Sequence, residues 1–144
     1  MKHQSETKRF ILRPFKMSDL DDFFELDSDT EVHKFLGQNP VKSREDMIPI
    51  IQGVLDQYER NGIGRWAIED KETGEVVGWS GLKLEEEAMD FPYYDVGYRL
   101  KRKHWGKGIA TEVGIESMRY GFVEMALPQI GGGAEIEHEV SNYL

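Results

Sequence analysis

Residues 93–110 read YYDVGYRLKRKHWGKGIA, and the fold turns on them. Residues 93–100 alternate like a strand. Lys101-Arg102-Lys103-His104-Trp105-Gly106-Lys107-Gly108 forms a basic, glycine-spaced turn, and Ile109-Ala110 open a helix-like run. Two glycines let a backbone approach an anion closely, and the N–H groups of a first helical turn point at it. The segment reads as a strand, a phosphate cradle and a helix.

The local charge opposes the global one. The chain has 144 residues, 18 Lys and Arg against 27 Asp and Glu, and a formal net charge of −9. Basic residues bunch between Arg99 and Lys107, so a small anionic ligand suits the turn, and a nucleic-acid surface is not expected. There is no cysteine, which excludes disulfides, thiolate zinc sites and a cysteine nucleophile. No apolar run is long enough to span a membrane, and the first residues lack a signal-peptide core, so the chain reads as cytoplasmic. The length suits a single domain with a real core.

Outward from the turn, the spacing Ile109, Val113, Met118, Phe122, Met125 predicts a helical apolar stripe, broken by Pro128. Residues 129–137 follow as a weak strand around Gly131-Gly132-Gly133. Upstream, residues 7–15 (TKRFILRPF) predict a first strand. Ser18 with Asp21 marks the start of a short helix, and Ser43 with Asp46 the start of a second, which Pro49 kinks or delays. Asn61-Gly62 ends that helix, residues 65–69 form a strand, and Thr73-Gly74 turns it into residues 75–84. The order βααβββαβ indicates one mixed α/β domain.

Two anion-loop patterns fail here. A P-loop needs Gly-Lys-Ser/Thr, but Ile109 follows Gly108. A dinucleotide fingerprint needs glycine where Thr111 stands. Lys103-His104-Trp105-Gly106-Lys107-Gly108 instead resembles the coenzyme A pyrophosphate loop of the GNAT acetyltransferases, Arg/Gln-x-x-Gly-x-Gly/Ala, with lysine in the first slot. Val96-Gly97-Tyr98-Arg99-Leu100, the string 105–112, and the opening Arg9-Phe10-Ile11-Leu12-Arg13-Pro14 resemble the branch that acetylates ribosomal-protein N-termini.

The resemblance implies the GNAT fold, a mixed and mostly antiparallel sheet flanked by helices. It also implies an N-acetyltransferase that moves an acetyl group from acetyl-CoA, as co-substrate, to a primary amine by direct attack on the thioester, with no metal. The alternative is a catalytically weak or inactive acyl-CoA-binding module. Cofactor contacts fall on backbone at Tyr98 and Leu100 for the arm, and on Lys103, Trp105, Gly106, Lys107, Gly108, Ile109 and Ala110 for the pyrophosphate. Lys103 and Lys107 assist, or are merely solvated. Gly97 is compatible with a bulge.

Asp95 is either a general base, acting directly or through water, or an exposed strand carboxylate. Ser80 is an acceptor contact or a plain strand serine. His138 stands where the pattern Asn-x-x-Ser-Asn has asparagine, and either hydrogen-bonds there or titrates near neutral pH. Glu85 and Glu87 read as solvated loop residues, His33 and His104 as surface, and His3 as a disordered tail. Acceptor choice is expected from residues 30–44, with the acidic surface steering a cationic amine or peptide N-terminus. Family members continue beyond Asn142 through a helix and two strands, so the domain reads as C-terminally incomplete at Leu144. Self-association at the exposed edge, giving a homo-oligomer, is the corresponding expectation.

Overall fold

A computed structural model of the chain describes residues 3–33, 40–86 and 91–132. A six-stranded sheet runs in chain order: β1 (Ser5–Glu6), β2 (Phe10–Pro14), β3 (Trp66–Asp70), β4 (Val76–Glu85), β5 (Tyr93–Leu100) and β6 (Gly131–Gly132). Every neighbouring pair is antiparallel except β5 and β6, which are parallel. A parallel pair needs a crossover, and helix α4 (Ile109–Arg119) supplies it. Helices α1 (Leu20–Asp27) and α3 (Met47–Asn61), with the short α2 (Thr30–His33), precede β3.

Period-two alternation sorts the sheet's side chains into two cores. Leu12, Trp66, Ile68, Leu82, Val96, Tyr98 and Leu100 pack with Ile109 and Val113 of α4. Phe15, Ala67 and Val76 pack with Phe23 and Leu26 of α1 and Met47 and Ile51 of α3. A register shift between Ile68 and Glu69 places Val76 in one core and Val77 in the other. Gly97, though compatible with a bulge, makes none with β4: β4 and β5 stay in register from Gly78↔Leu100 through Gly81↔Gly97 to Glu85↔Tyr93.

Local chemistry sets the helix ends. A 3-10 turn at Met17–Asp19 precedes α1, and its cap is the Asp19 carboxylate rather than Ser18, accepting the Lys16 N–H at 2.8 Å. Arg13 grips the same carboxylate through both terminal nitrogens, at 2.9 and 3.0 Å. Pro49 does not break α3. It lies in the first turn, where a missing N–H costs no intrahelical bond. Gly62 ends α3 in the left-handed region at φ 76°, donating to the Tyr58 carbonyl.

Of the stripe predicted for α4, Ile109 and Val113 are buried and Met118 and Met125 pack on the same core, and Phe122 departs from it. Ile109, Ala110, Val113, Gly114 and Ser117 are buried, followed by Tyr120 and Gly121, while Phe122 is exposed. A π-helical turn at Tyr120–Glu124 ends the helix, with the Met125 N–H reaching the Tyr120 carbonyl. A Cβ at Gly121 would stand 2.5 Å from Ile130 Cδ1, so this glycine lets the chain fold back toward β6. The expected strand at 129–137 is seen as Gly131–Gly132. His138, Glu87, the C-terminal end and the stretch 34–39 lie outside the described residues.

Candidate active site

At the C-terminal end of β5 the chain turns through a 3-10 segment, Arg102–His104, into the glycine pair. Gly106 and Gly108 both have φ 76°, and Gly108 caps α4, its carbonyl taking the first helical bond from the Glu112 N–H. Alternating left-handed glycines make consecutive N–H groups converge, and the first-turn N–H groups of Ile109, Ala110 and Thr111 have no intrahelical acceptor. The space around Gly106 is open: a Cβ there meets nothing within 4 Å. Backbone of this shape fits a diphosphate.

The loop's cations have a different task from the one their charge suggests. The Lys101 side chain is 2% exposed, and its ammonium lies 2.8 Å from Asp22, 2.9 Å from Glu75 and 3.1 Å from Glu25. Burial pulls that ammonium down, but the three carboxylate bonds outweigh it and its pKa is raised. Burial likewise acts upward on Glu75, yet Lys101, Lys103 and His104 bring it down to about 2. Lys103 reaches Glu75 at 3.0 Å and Glu25 at 3.3 Å, Arg102 reaches Asp29, and His104 bonds Glu75 at 3.1 Å. The locally inverted charge is therefore spent clamping the loop to α1 and to the start of β4. Asp22, Glu25 and Glu75 also form a cluster of metal-binding type, and the Lys101 ammonium bonds all three.

Trp105 braces the loop from within, its indole N–H donating to the Leu100 carbonyl at 3.0 Å. Lys107 lies 3.4 Å from His104 Nδ1. Among the described residues β6 meets β5 only at Asp95 and Val96, so the backbone at Tyr98 and Leu100 lies beyond that pairing. Both side chains point into the core.

The other face of β5 floors a cavity of about 330 Å³ between the sheet and helices α1 and α3. Asp95 and Arg99 line it from β5, Trp79, Lys83 and Glu85 from β4, and Arg65 from the approach to β3. Asp95 is not an exposed strand carboxylate: it is 7% exposed, and Arg65 Nη2 donates to it at 2.9 Å. Arg65 Nη1 also bonds the Gly81 and Asp95 carbonyls. Arg99 donates to Asp27 at 3.1 Å, and both guanidinium groups lie against the Trp79 ring.

Ser80 does not reach this cavity. It is fully buried on the opposite face, in register with Trp66 and Tyr98. Glu85 is the last residue of β4 and lines the cavity instead of solvating a loop. The histidine expectations are also corrected. His33 is buried 3.8 Å from Asp27, His104 is bonded to Glu75, and His3 packs on Tyr120 while its carbonyl accepts the Trp66 indole N–H.

The cavity walls come from α1 and α3 and not from the described parts of 30–44. Arg65, Arg99 and Asp27 were missed. The available signal was Asp95 and Arg99 on one face of a strand whose other face is wholly apolar, because buried charges demand partners elsewhere in the chain.

These features define a class first: an α/β domain with a left-handed glycine pair at a strand–helix junction, and a separate cavity on the reverse face of the same strand. Residues 9–143 match the family model described as acetyltransferase (GNAT) domain. The uncharacterized N-acetyltransferase YoaA of Bacillus subtilis is 34% identical over 140 residues, spanning 96% of this chain and 77% of that protein. The uncharacterized N-acetyltransferase p20 of Bacillus licheniformis is 33% identical over 138 residues, spanning 94% and 75%. The ribosomal-protein-S5-alanine acetyltransferase of Vibrio fischeri superposes with a TM-score of 0.72 at 19% identity, over 99% of this chain and 82% of that one.

The chain belongs to the GNAT acetyltransferase family. Its reaction class is acetyl transfer, and acetyl-CoA is the family's co-substrate. Among the described residues no helix is long and apolar enough to cross a membrane.

Proposed function

We propose that this chain transfers the acetyl group of acetyl-CoA to a primary amine, on a peptide N-terminus or a small molecule, by direct attack on the thioester. The observation that carries the reading is the pair of left-handed glycines opening α4 directly after β5, with the cavity floored by that same strand. The nest from Gly106 to Ala110 holds the diphosphate through N–H groups, and main-chain groups at Tyr98 and Leu100 hold the arm.

The thioester supplies an activated acyl carbon: the amine nitrogen bonds to it, the carbon–sulfur bond breaks, and the thiolate leaves. Asp95, fixed on the cavity floor by Arg65, takes the amine proton directly or through a water. The finer placement in the ribosomal-protein branch is supported by the Val96-Gly97-Tyr98 and 105–112 strings.

Thiol release from acetyl-CoA across a panel of amines, including an alanine-initiated peptide, tests the reading. Turnover that falls about 100-fold in Asp95→Asn is the expected result. Thermal stabilisation by acetyl-CoA with no thiol released by any amine would overturn the enzymatic reading in favour of an acyl-CoA-binding module.

A further inference from the structure

The cavity carries information about the acceptor that the family assignment does not. Its charged lining comes in pairs: Arg65 with Asp95 at 2.9 Å, Arg99 with Asp27 at 3.1 Å, and Lys83 with Glu85 at 3.1 Å. Each cation of the lining has a carboxylate within bonding distance, and the first two pairs are buried. The facing wall is mostly apolar, built from Phe15 and Phe23 and from Met47, Ile50 and Val54 of α3, with Gln57 of the same helix its polar member, the Oε1 buried without a partner among the described residues. The cavity therefore has a charge-compensated ionic lining under a mostly hydrocarbon roof.

That arrangement discriminates by chemistry. A second ammonium group entering the cavity meets lining carboxylates that are already paired, so it must displace an arginine or lysine or settle for the neutral Gln57 amide oxygen, and both are costly for a full charge. An apolar body gains from the roof, and a single amine needs only one acceptor on the floor. We infer that the acceptor is a monoamine carrying an apolar body next to the amine, and that polyamines and other polycations are rejected. The inference rests on the acetyl-transfer reading of the same site. It replaces surface steering by global negative charge with selection inside the cavity.

Ile50 gives a clean handle. It is 42% exposed at the edge of the roof, so a glutamate there is tolerated by the fold while placing a new carboxylate against the cavity. The test compares 2-phenylethylamine, a peptide beginning with leucine, and spermidine, in the parent chain and in Ile50→Glu. It reads kcat/KM by thiol release and, separately, the thermal shift each amine adds to the chain loaded with coenzyme A.

The two apolar amines should exceed spermidine by roughly 30-fold in kcat/KM. Ile50→Glu should narrow that ratio and leave the KM for acetyl-CoA unchanged. The better of the two apolar amines identifies the source as a small molecule or a peptide N-terminus. Spermidine equal to or better than both, or an unchanged ratio in Ile50→Glu, overturns the inference. If no amine releases thiol but 2-phenylethylamine still stabilises the loaded chain, with the shift lost in Ile50→Glu, the inference stands and the enzymatic reading falls. If neither apolar amine gives turnover or a thermal shift, the inference falls.

Discussion

The guanidinium of Arg65 fills the space that a side chain at Gly97 would need: a Cβ there would stand 3.3 Å from Nη2. Arg65 has little freedom to move aside, because it bonds the Gly81 carbonyl and both the carbonyl and carboxylate of Asp95. Glycine at 97 is therefore a packing requirement for the ion pair on the cavity floor. Gly97→Ala should cost about 1–3 kcal/mol and lower kcat by displacing Asp95. Urea unfolding at constant m-value reads the first effect, and thiol release the second. A loss under about 0.5 kcal/mol would show that Arg65 swings away cheaply.

Lys101 pins the loop between β5 and α4. Its ammonium is held by Asp22, Glu25 and Glu75, and its N–H donates to the Val77 carbonyl at 2.9 Å. Lys101→Met removes the charge but keeps most of the bulk, leaving three carboxylates without their shared partner. A loss of about 3 kcal/mol is expected, lowering Tm by about 10 °C. The same variant should raise the KM for acetyl-CoA, since the loop is no longer tied to α1. A KM that stays constant despite the loss of stability would separate the clamp from cofactor binding.

The clamp also contributes to the acid sensitivity of the fold, with Glu25, Glu112 and Glu116 likewise held down by their partners. Glu75 has its pKa brought down to about 2 in the folded chain from an ordinary 4.5. A carboxylate depressed by folding contributes its full stabilisation above the ordinary value and loses it as pH falls through the folded one. Stability should therefore drop between pH 4.5 and 2, in circular-dichroism melts at stepped pH. Glu75→Gln should be less stable at neutral pH and show a shallower fall across that window. An unaltered slope would mean that Glu75 is not the titrating group.

What was legible in the sequence was local. The strand at 93–100, the helix opening after Gly108, the stop at Gly62 and the turn at Gly74 are written in adjacent residues, through alternation and left-handed glycines. What was illegible depends on distant partners. Lys101 reads as one more cation of the basic turn, and the partner that gives it its task, Asp22, is 79 residues away. Asp95 reads equally as a general base or an exposed carboxylate because Arg65, which buries it, lies outside its strand, 30 positions upstream. The π-helical turn escaped the stripe because its wider i→i+5 bonding departs from the 3.6-residue period there, and Phe122 within it is exposed.

The proposed backbone nest and the lysines make opposite demands on the same loop, and substitutions separate them. Lys103 is 55% exposed and already bonded to Glu75 and Glu25, so Lys103→Gln should change the KM for acetyl-CoA less than threefold. Gly108 has room for a Cβ, whose nearest contact would be Arg9 Nη2 at 3.8 Å, but its φ of 76° disfavours any L side chain. Gly108→Ala should therefore cost about 1–2 kcal/mol through backbone strain alone. To escape that strain the loop must rotate its N–H groups out of convergence, so acetyl-CoA should lose most of its thermal stabilisation of the chain. Differential scanning fluorimetry of both variants with coenzyme A reads the contrast. A larger loss in Lys103→Gln than in Gly108→Ala would assign the diphosphate to side-chain charge and remove the backbone nest from the site.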